Sequence, residues 1–78
     1  MNTILFLDGS STSMFLLKLL KKSKFFNIKK IIISSNIKIL DKFKLKNNVA
    51  IIKTNFKEIS KKKISVKNYD ICFSYYDF

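Results

Sequence analysis

One short loop carries most of the side chains that could bind a ligand, Asp8-Gly9-Ser10-Ser11-Thr12-Ser13. Its hydroxyl groups can donate hydrogen bonds to a phosphate or a sugar, and its small side chains let a ligand approach the backbone. If a helix follows the loop, the free N–H groups and the positive end of the helix dipole point at the same space. The same residue types also cap helices and turn corners without binding anything. Both interpretations are therefore open from the sequence.

The residues needed for catalysis are scarce. The chain has no histidine and one cysteine, Cys72, which lies in an apolar run and is predicted to be a small core residue. A lone cysteine supports neither a disulfide framework nor a zinc site. Asp70 and Asp77 would lie about 23 Å apart on a continuous strand, too far to act as an acid/base pair. Tyr75 and Tyr76 could line a pocket, but aromatic residues at a strand end more often belong to the core or its rim. No catalytic residue and no metal site is predicted.

Several phosphate-binding motifs can be tested against the loop. A dinucleotide-binding fingerprint needs three glycines and a later acidic residue, and a P-loop needs a second glycine followed by lysine; the chain has only Gly9. Phosphatases with an aspartate nucleophile carry a second aspartate where this loop has Ser10. The loop of pyrophosphatase-type adenylating enzymes, Ser-Gly-Gly-x-Asp-Ser before a Leu-rich helix, overlaps at Gly9, Ser13 and the helix. A degenerate ATP-binding adenylating enzyme therefore stays open as an enzymatic alternative.

The composition limits the protein class. Seventy-eight residues, 47% of them hydrophobic, are enough for one small packed domain and argue against disorder. The formal net charge is +11, and all 16 basic residues are Lys. Proteins that read nucleic acid usually employ Arg, whose fork matches phosphate and guanine edges. Solvated lysines are therefore favoured over a basic β/α module that binds nucleic acid, an alternative that predicts an affinity falling steeply with salt.

Nothing in the sequence indicates a membrane partner. It has no run of about 18 apolar residues to span a bilayer, and its N-terminus lacks the basic start of a secretory signal. We therefore expect a cytoplasmic protein.

The apolar patterns predict the elements that must position the loop. A buried strand covers Thr3 to Leu7. A helix runs from Thr12 or Ser13 to about Lys24, with Ser11, Thr12 or Ser13 as its cap. Its apolar face is predicted to comprise Phe15, Leu16, Leu19 and Leu20, with Lys18, Lys21 and Lys22 on the opposite side.

The remaining elements follow in alternation. Ile28 to Ile33 is a β-branched second strand, and Ile37 to Lys46 is either a short helix or a structured loop. The third strand covers Val49 to Ile52, a short helix with a Glu58–Lys62 pair covers Phe56 to Lys63, and the last strand covers Asp70 to Tyr75.

The order β-α-β-(α)-β-α-β predicts an α/β fold with an open, mostly parallel, Rossmann-like sheet and right-handed crossovers. The sequence ends on Tyr75-Tyr76-Asp77-Phe78, directly after an apolar strand. We therefore expect residues 1–78 to form a single partial α/β domain, truncated after its fourth strand.

Taken in order, the segments resemble the start of the folate-dependent formyltransferases, which include the methionyl-tRNA, glycinamide-ribonucleotide and amino-sugar enzymes. The resemblance covers the first half of the family's catalytic domain. Its segments are the first strand with its loop and Leu-rich helix, the second and third strands, and a fourth strand in which an Asp precedes apolar residues and a Ser-aromatic stretch. They read Ile4-Leu5-Phe6-Leu7, Gly9-Ser10-Ser11, Leu16-Leu17-Lys18-Leu19-Leu20, Ile31-Ile32-Ile33-Ser34-Ser35, Val49-Ala50-Ile51-Ile52-Lys53-Thr54 and Tyr69-Asp70-Ile71-Cys72-Phe73-Ser74-Tyr75-Tyr76-Asp77-Phe78.

The resemblance implies transfer of a formyl group from 10-formyltetrahydrofolate to a small-molecule amine. It implies a substrate contact at Gly9, Ser10, Ser11 and Thr12, because in some members this loop holds a phosphate or sugar. The family's Asn-x-His pair and later Asp follow its fourth strand and have no counterpart here, so we expect this chain alone to be inactive. Asp8 departs from the pattern, since its negative charge opposes an anionic ligand unless it turns away.

Overall fold

A computed structural model describes residues 1–34, 37–43, 45, 48–54 and 67–75 of the chain. Within them lie four strands, one α-helix and one short 3-10 helix. The strands are β1 (Asn2–Leu7), β2 (Asn27–Ile33), β3 (Ala50–Lys53) and β4 (Ile71–Tyr75). The α-helix is α1 (Ser11–Lys22), and the 3-10 helix covers Ile37–Lys42. The predicted helix from Phe56 to Lys63, with Glu58 and Lys62, lies outside the described residues, as do Tyr76 and Asp77.

The four strands form one parallel sheet in the order β3-β2-β1-β4. The chain moves from β1 to β2 to β3 in one direction and then places β4 on the other side of β1. Leu5 of β1 is level with Ile31 of β2 and with Phe73 of β4. The predicted α/β class with an open, parallel, Rossmann-like sheet is confirmed.

The centre of the sheet is buried on both faces, as expected for parallel strands with a near-continuous apolar run. Side chains alternate between faces along a strand. Leu5 and Leu7 face α1, whereas Ile4 points the opposite way, and all three are fully buried. On β2, Ile31 and Ile33 join the core cluster beneath α1, and Ile32 is buried on the other face. The 3-10 helix adds Leu40 to the same cluster.

The predicted face of α1 is confirmed in part, because Leu20 is buried and Leu16 packs against the core, but its other two residues are exposed. Ser13, Met14, Leu17 and Leu20 are buried, whereas Phe15 and Leu19 are 60% and 51% exposed. The observed face keeps Lys18 and Lys22 on the far side of the helix. A face centred on Phe15 and Leu19 would place Lys22, three residues after Leu19, beside the core.

Two further predictions are corrected. The cap of α1 is Ser10, because its side chain accepts the Ser13 N–H; the predicted caps Ser11, Thr12 and Ser13 are all helical. Cys72 is exposed and is not a core residue. It alternates with the half-buried Ile71 and Phe73 on β4, an edge strand of the described sheet, so it points away from α1.

Candidate ligand-binding site

The loop after β1 lies at the point where the strand order reverses. β1 lies between β2 and β4, and Leu7 of β1 is level with both Ile33 of β2 and Tyr75 of β4. The carboxyl ends of three strands therefore meet at one edge of the sheet. In open α/β sheets ligands bind in the crevice outside the strand ends at such a switch point. Residues 8–13 join β1 to the first turn of α1 at this edge.

The loop turns the chain from β1 into α1 through a set of local hydrogen bonds. Gly9 has a φ of 81°, in the left-handed region where a residue without Cβ is favoured. The Asp8 carboxylate accepts the Ser10 N–H at 2.8 Å. The Ser10 hydroxyl accepts the Ser13 N–H at 3.2 Å, and the Ser13 hydroxyl donates to the Ser10 carbonyl at 2.9 Å. The loop is therefore held in one conformation by its own side chains.

These bonds divide the four predicted contact residues into two pairs. Gly9 and Ser10 are half-buried and shape the turn. Ser11 and Thr12 have exposed side chains, and among the described residues nothing accepts a hydrogen bond from their backbone N–H groups. The first turn of a helix leaves such donors without intrahelical partners. Ser11 and Thr12 thus present two exposed hydroxyls and two backbone N–H groups at the N-terminus of α1, and their contact with a ligand stays a prediction.

Asp8 determines the electrostatics of the loop. One of its carboxylate oxygens already accepts a hydrogen bond from the Ser10 N–H, so this donor is not available to an anionic ligand. The first turn of α1 contains no acidic residue, so Asp8 supplies the negative charge at this helix end. The loop therefore suits a ligand that combines hydroxyl or phosphate oxygens with a positive charge better than a simple anion.

The other candidate residues have structural roles. Asp70 accepts the Asn2 N–H at 2.7 Å at the amino-terminal edge of the sheet, opposite to the loop. Tyr75 and Phe73 pack against the core cluster. Cys72 is an exposed residue, but partial burial of its thiol raises the pKa of that group, which disfavours the nucleophilic thiolate.

A cavity of about 350 Å³ lies away from the predicted site, beside the end of α1 and the start of β2. Sequence reasoning missed it because three separate segments form it and its lysines resemble solvated ones. The described residues contain no group of three or more potential metal ligands. They also contain no helix with the length and apolarity needed to cross a membrane.

Comparisons with protein-family models, with curated proteins and with solved structures give no match. The function must therefore be argued from the fold and the loop.

Proposed function

We propose that this chain provides the amine-substrate side of a formyltransferase-like domain that acts in the cytoplasm. The observation that carries the proposal is the position of a hydroxyl-rich loop at the switch point between β1 and β4. The order of the segments resembles that of the folate-dependent formyltransferases, and this resemblance suggests formyl transfer as the reaction. A chain with one cysteine and no disulfide partner suits a reducing compartment.

The ligand expected at the loop is an amine that also bears a sugar or phosphate. Ser11 and Thr12 supply donors for sugar or phosphate oxygens, and Asp8, whose carboxylate accepts the Ser10 N–H, adds a negative charge to the loop that disfavours a simple anion. Two or three hydrogen bonds in an open crevice contribute about 1 kcal/mol each. Binding is therefore expected to be weak but measurable.

The formyl donor implied by the resemblance is 10-formyltetrahydrofolate, and we expect the residues that bind it to lie outside this chain. Phe73 and Tyr75 of the neighbouring strand are half-buried and pack against the core cluster. Proton transfer at the amine needs a positioned base, and the chain contains no histidine. This chain is therefore proposed to bind the amine, and no step of formyl transfer is assigned to its residues.

The test is a calorimetric titration of the 78-residue protein with glucosamine 6-phosphate, which carries an amine, a sugar and a phosphate. Glucose 6-phosphate serves as the comparison ligand without the amine. The variant S11A/T12A should weaken binding about thirtyfold, because two side-chain hydrogen bonds of about 1 kcal/mol each are lost. The control variant is Ser23→Ala, at the opposite end of α1 and about 18 Å away.

The proposal is supported if glucosamine 6-phosphate binds more tightly than glucose 6-phosphate, and if its binding is weakened in S11A/T12A and unchanged in Ser23→Ala. Absence of binding, equal binding of both sugars, or full binding by S11A/T12A would refute it.

A further inference from the structure

The cavity near the end of α1 lies at the amino-terminal edge of the sheet, opposite to the loop. It has a volume of about 350 Å³ and is formed by the last turn of α1, the start of β2 and the segment before β3. Its lining includes Lys21, Lys24, Phe26, Ile28, Leu45 and Val49. Its volume lies within the range of roughly 300–1,000 Å³ typical of small-molecule sites.

The lining combines an apolar wall with two cationic side chains. Ile28 is buried, and Phe26, Leu45 and Val49 are half-buried. Phe26 is held in place by edge-on contacts with the rings of Phe25 and Phe73. This wall is therefore a fixed apolar surface that water solvates poorly.

The two lysines of the lining, Lys21 and Lys24, are exposed, and no carboxylate in the part of the chain that the structure describes forms an ion pair with either of them. A helix C-terminus carries roughly half a negative charge, which lysine in the last turn offsets. Lys21 could act in this way, but Lys24 lies beyond the end of α1. Two full positive charges exceed the half charge of the helix end, so the cavity entrance is positive.

We propose that this cavity binds a small amphipathic anion, a carboxylate on an aliphatic body. The head group lies between the ammonium groups of Lys21 and Lys24, and the body packs against Phe26 and Ile28. The cavity holds roughly a dozen water volumes of about 30 Å³ each, which matches a ligand of about ten non-hydrogen atoms. Octanoate has this size and chemistry.

The experiment is an NMR titration of the ¹⁵N-labelled protein with octanoate below its micelle concentration, with octanol as the uncharged comparison. Octanoate should shift the amide signals of Phe26, Asn27 and Ile28. The variant K21Q/K24Q should weaken binding roughly tenfold. The matched control K18Q/K22Q removes the same charge from the outer face of the same helix and should bind as the wild type.

A wall variant, Val49→Phe, fills part of the cavity and should reduce binding of octanoate with both lysines present. Circular dichroism and a thermal melt verify that this variant folds. If Val49→Phe does not fold, the comparison of K21Q/K24Q with K18Q/K22Q tests the proposal by itself. The proposal is overturned if octanoate leaves these amides unshifted, if K18Q/K22Q weakens binding as much as K21Q/K24Q, or if octanol binds as well as octanoate. None of these outcomes involves the loop of the proposed function.

Discussion

Leu17→Ala should destabilise the protein far more than Leu19→Ala, two residues along the same helix. Leu17 is fully buried in the cluster between α1 and the sheet, whereas Leu19 is 51% exposed. Truncating a buried leucine removes apolar burial and leaves a cavity, which costs about 2–5 kcal/mol. A 78-residue domain has a total stability of about 4–12 kcal/mol. Leu17→Ala therefore removes a large fraction of the total.

Leu19→Ala should cost less than about 1 kcal/mol. About half of its side chain is already in water, no enclosed cavity forms at the surface, and alanine is the better helix former. Urea unfolding followed by circular dichroism at 222 nm measures the difference. With a slope near 1 kcal/mol per M, the two midpoints should differ by at least about 1 M.

Leu17→Met is a milder second variant that keeps the side-chain volume and should cost under about 1.5 kcal/mol. If Leu17→Ala is unfolded in water, the stability of Leu17→Met can be compared with that of Leu19→Ala instead. If Leu19→Ala lowers stability as much as Leu17→Ala, the observed orientation of α1 is wrong.

Three other predictions concern the loop and the thiol. Ser10→Ala should cost about 1 kcal/mol in urea unfolding, whereas Ser10→Gly should cost only a few tenths, because the first change removes the cap acceptor of α1 and glycine is tolerated at a cap. Gly9→Ala should cost about 1–2 kcal/mol in thermal melts, because alanine at a φ of 81° carries a Cβ clash. Alkylation of Cys72 by iodoacetamide should show a midpoint above pH 9.0, because burial raises the thiol pKa above that ordinary value.

Each of these predictions has a control and a contradicting result. Ser11→Ala is the control for Ser10→Ala, and equal losses would deny that Ser10 is the cap. Gly9→Asn should cost less than Gly9→Ala, since asparagine tolerates the left-handed region; the reverse order would contradict the observed turn. The urea-unfolded chain is the control for Cys72. A native alkylation midpoint at or below pH 9.0 would contradict partial burial of the thiol.

The strands could be predicted closely from the sequence, because β-branched runs such as Ile31-Ile32-Ile33 have few alternatives to a buried strand. Their predicted starts differ from the observed ones by one residue. The orientation of α1 was harder to predict, because its central seven residues, from Met14 to Leu20, contain six apolar side chains. Several faces of such a helix are hydrophobic, and the fixed ends at the loop and at β2 select one of them.

The site could be predicted only in part. The loop's place after β1 follows from the apolar run and Gly9, but its position beside β4 depends on strand order, which local patterns do not encode. Cys72 was wrongly predicted because an apolar run does not reveal that its strand lies at an edge of the described sheet. The cavity could not be predicted, since its wall combines residues as distant in sequence as Lys21 and Val49.

An NMR titration with glucosamine 6-phosphate can locate the substrate at the switch point beside β1. If it binds there, the amide signals of Gly9, Ser11 and Thr12 should shift in a saturable manner. Those of Phe26 and Ile28, at the opposite edge of the sheet, should stay in place. Unchanged signals in the loop, or shifts confined to the opposite edge, would show that the ligand does not bind at the switch point.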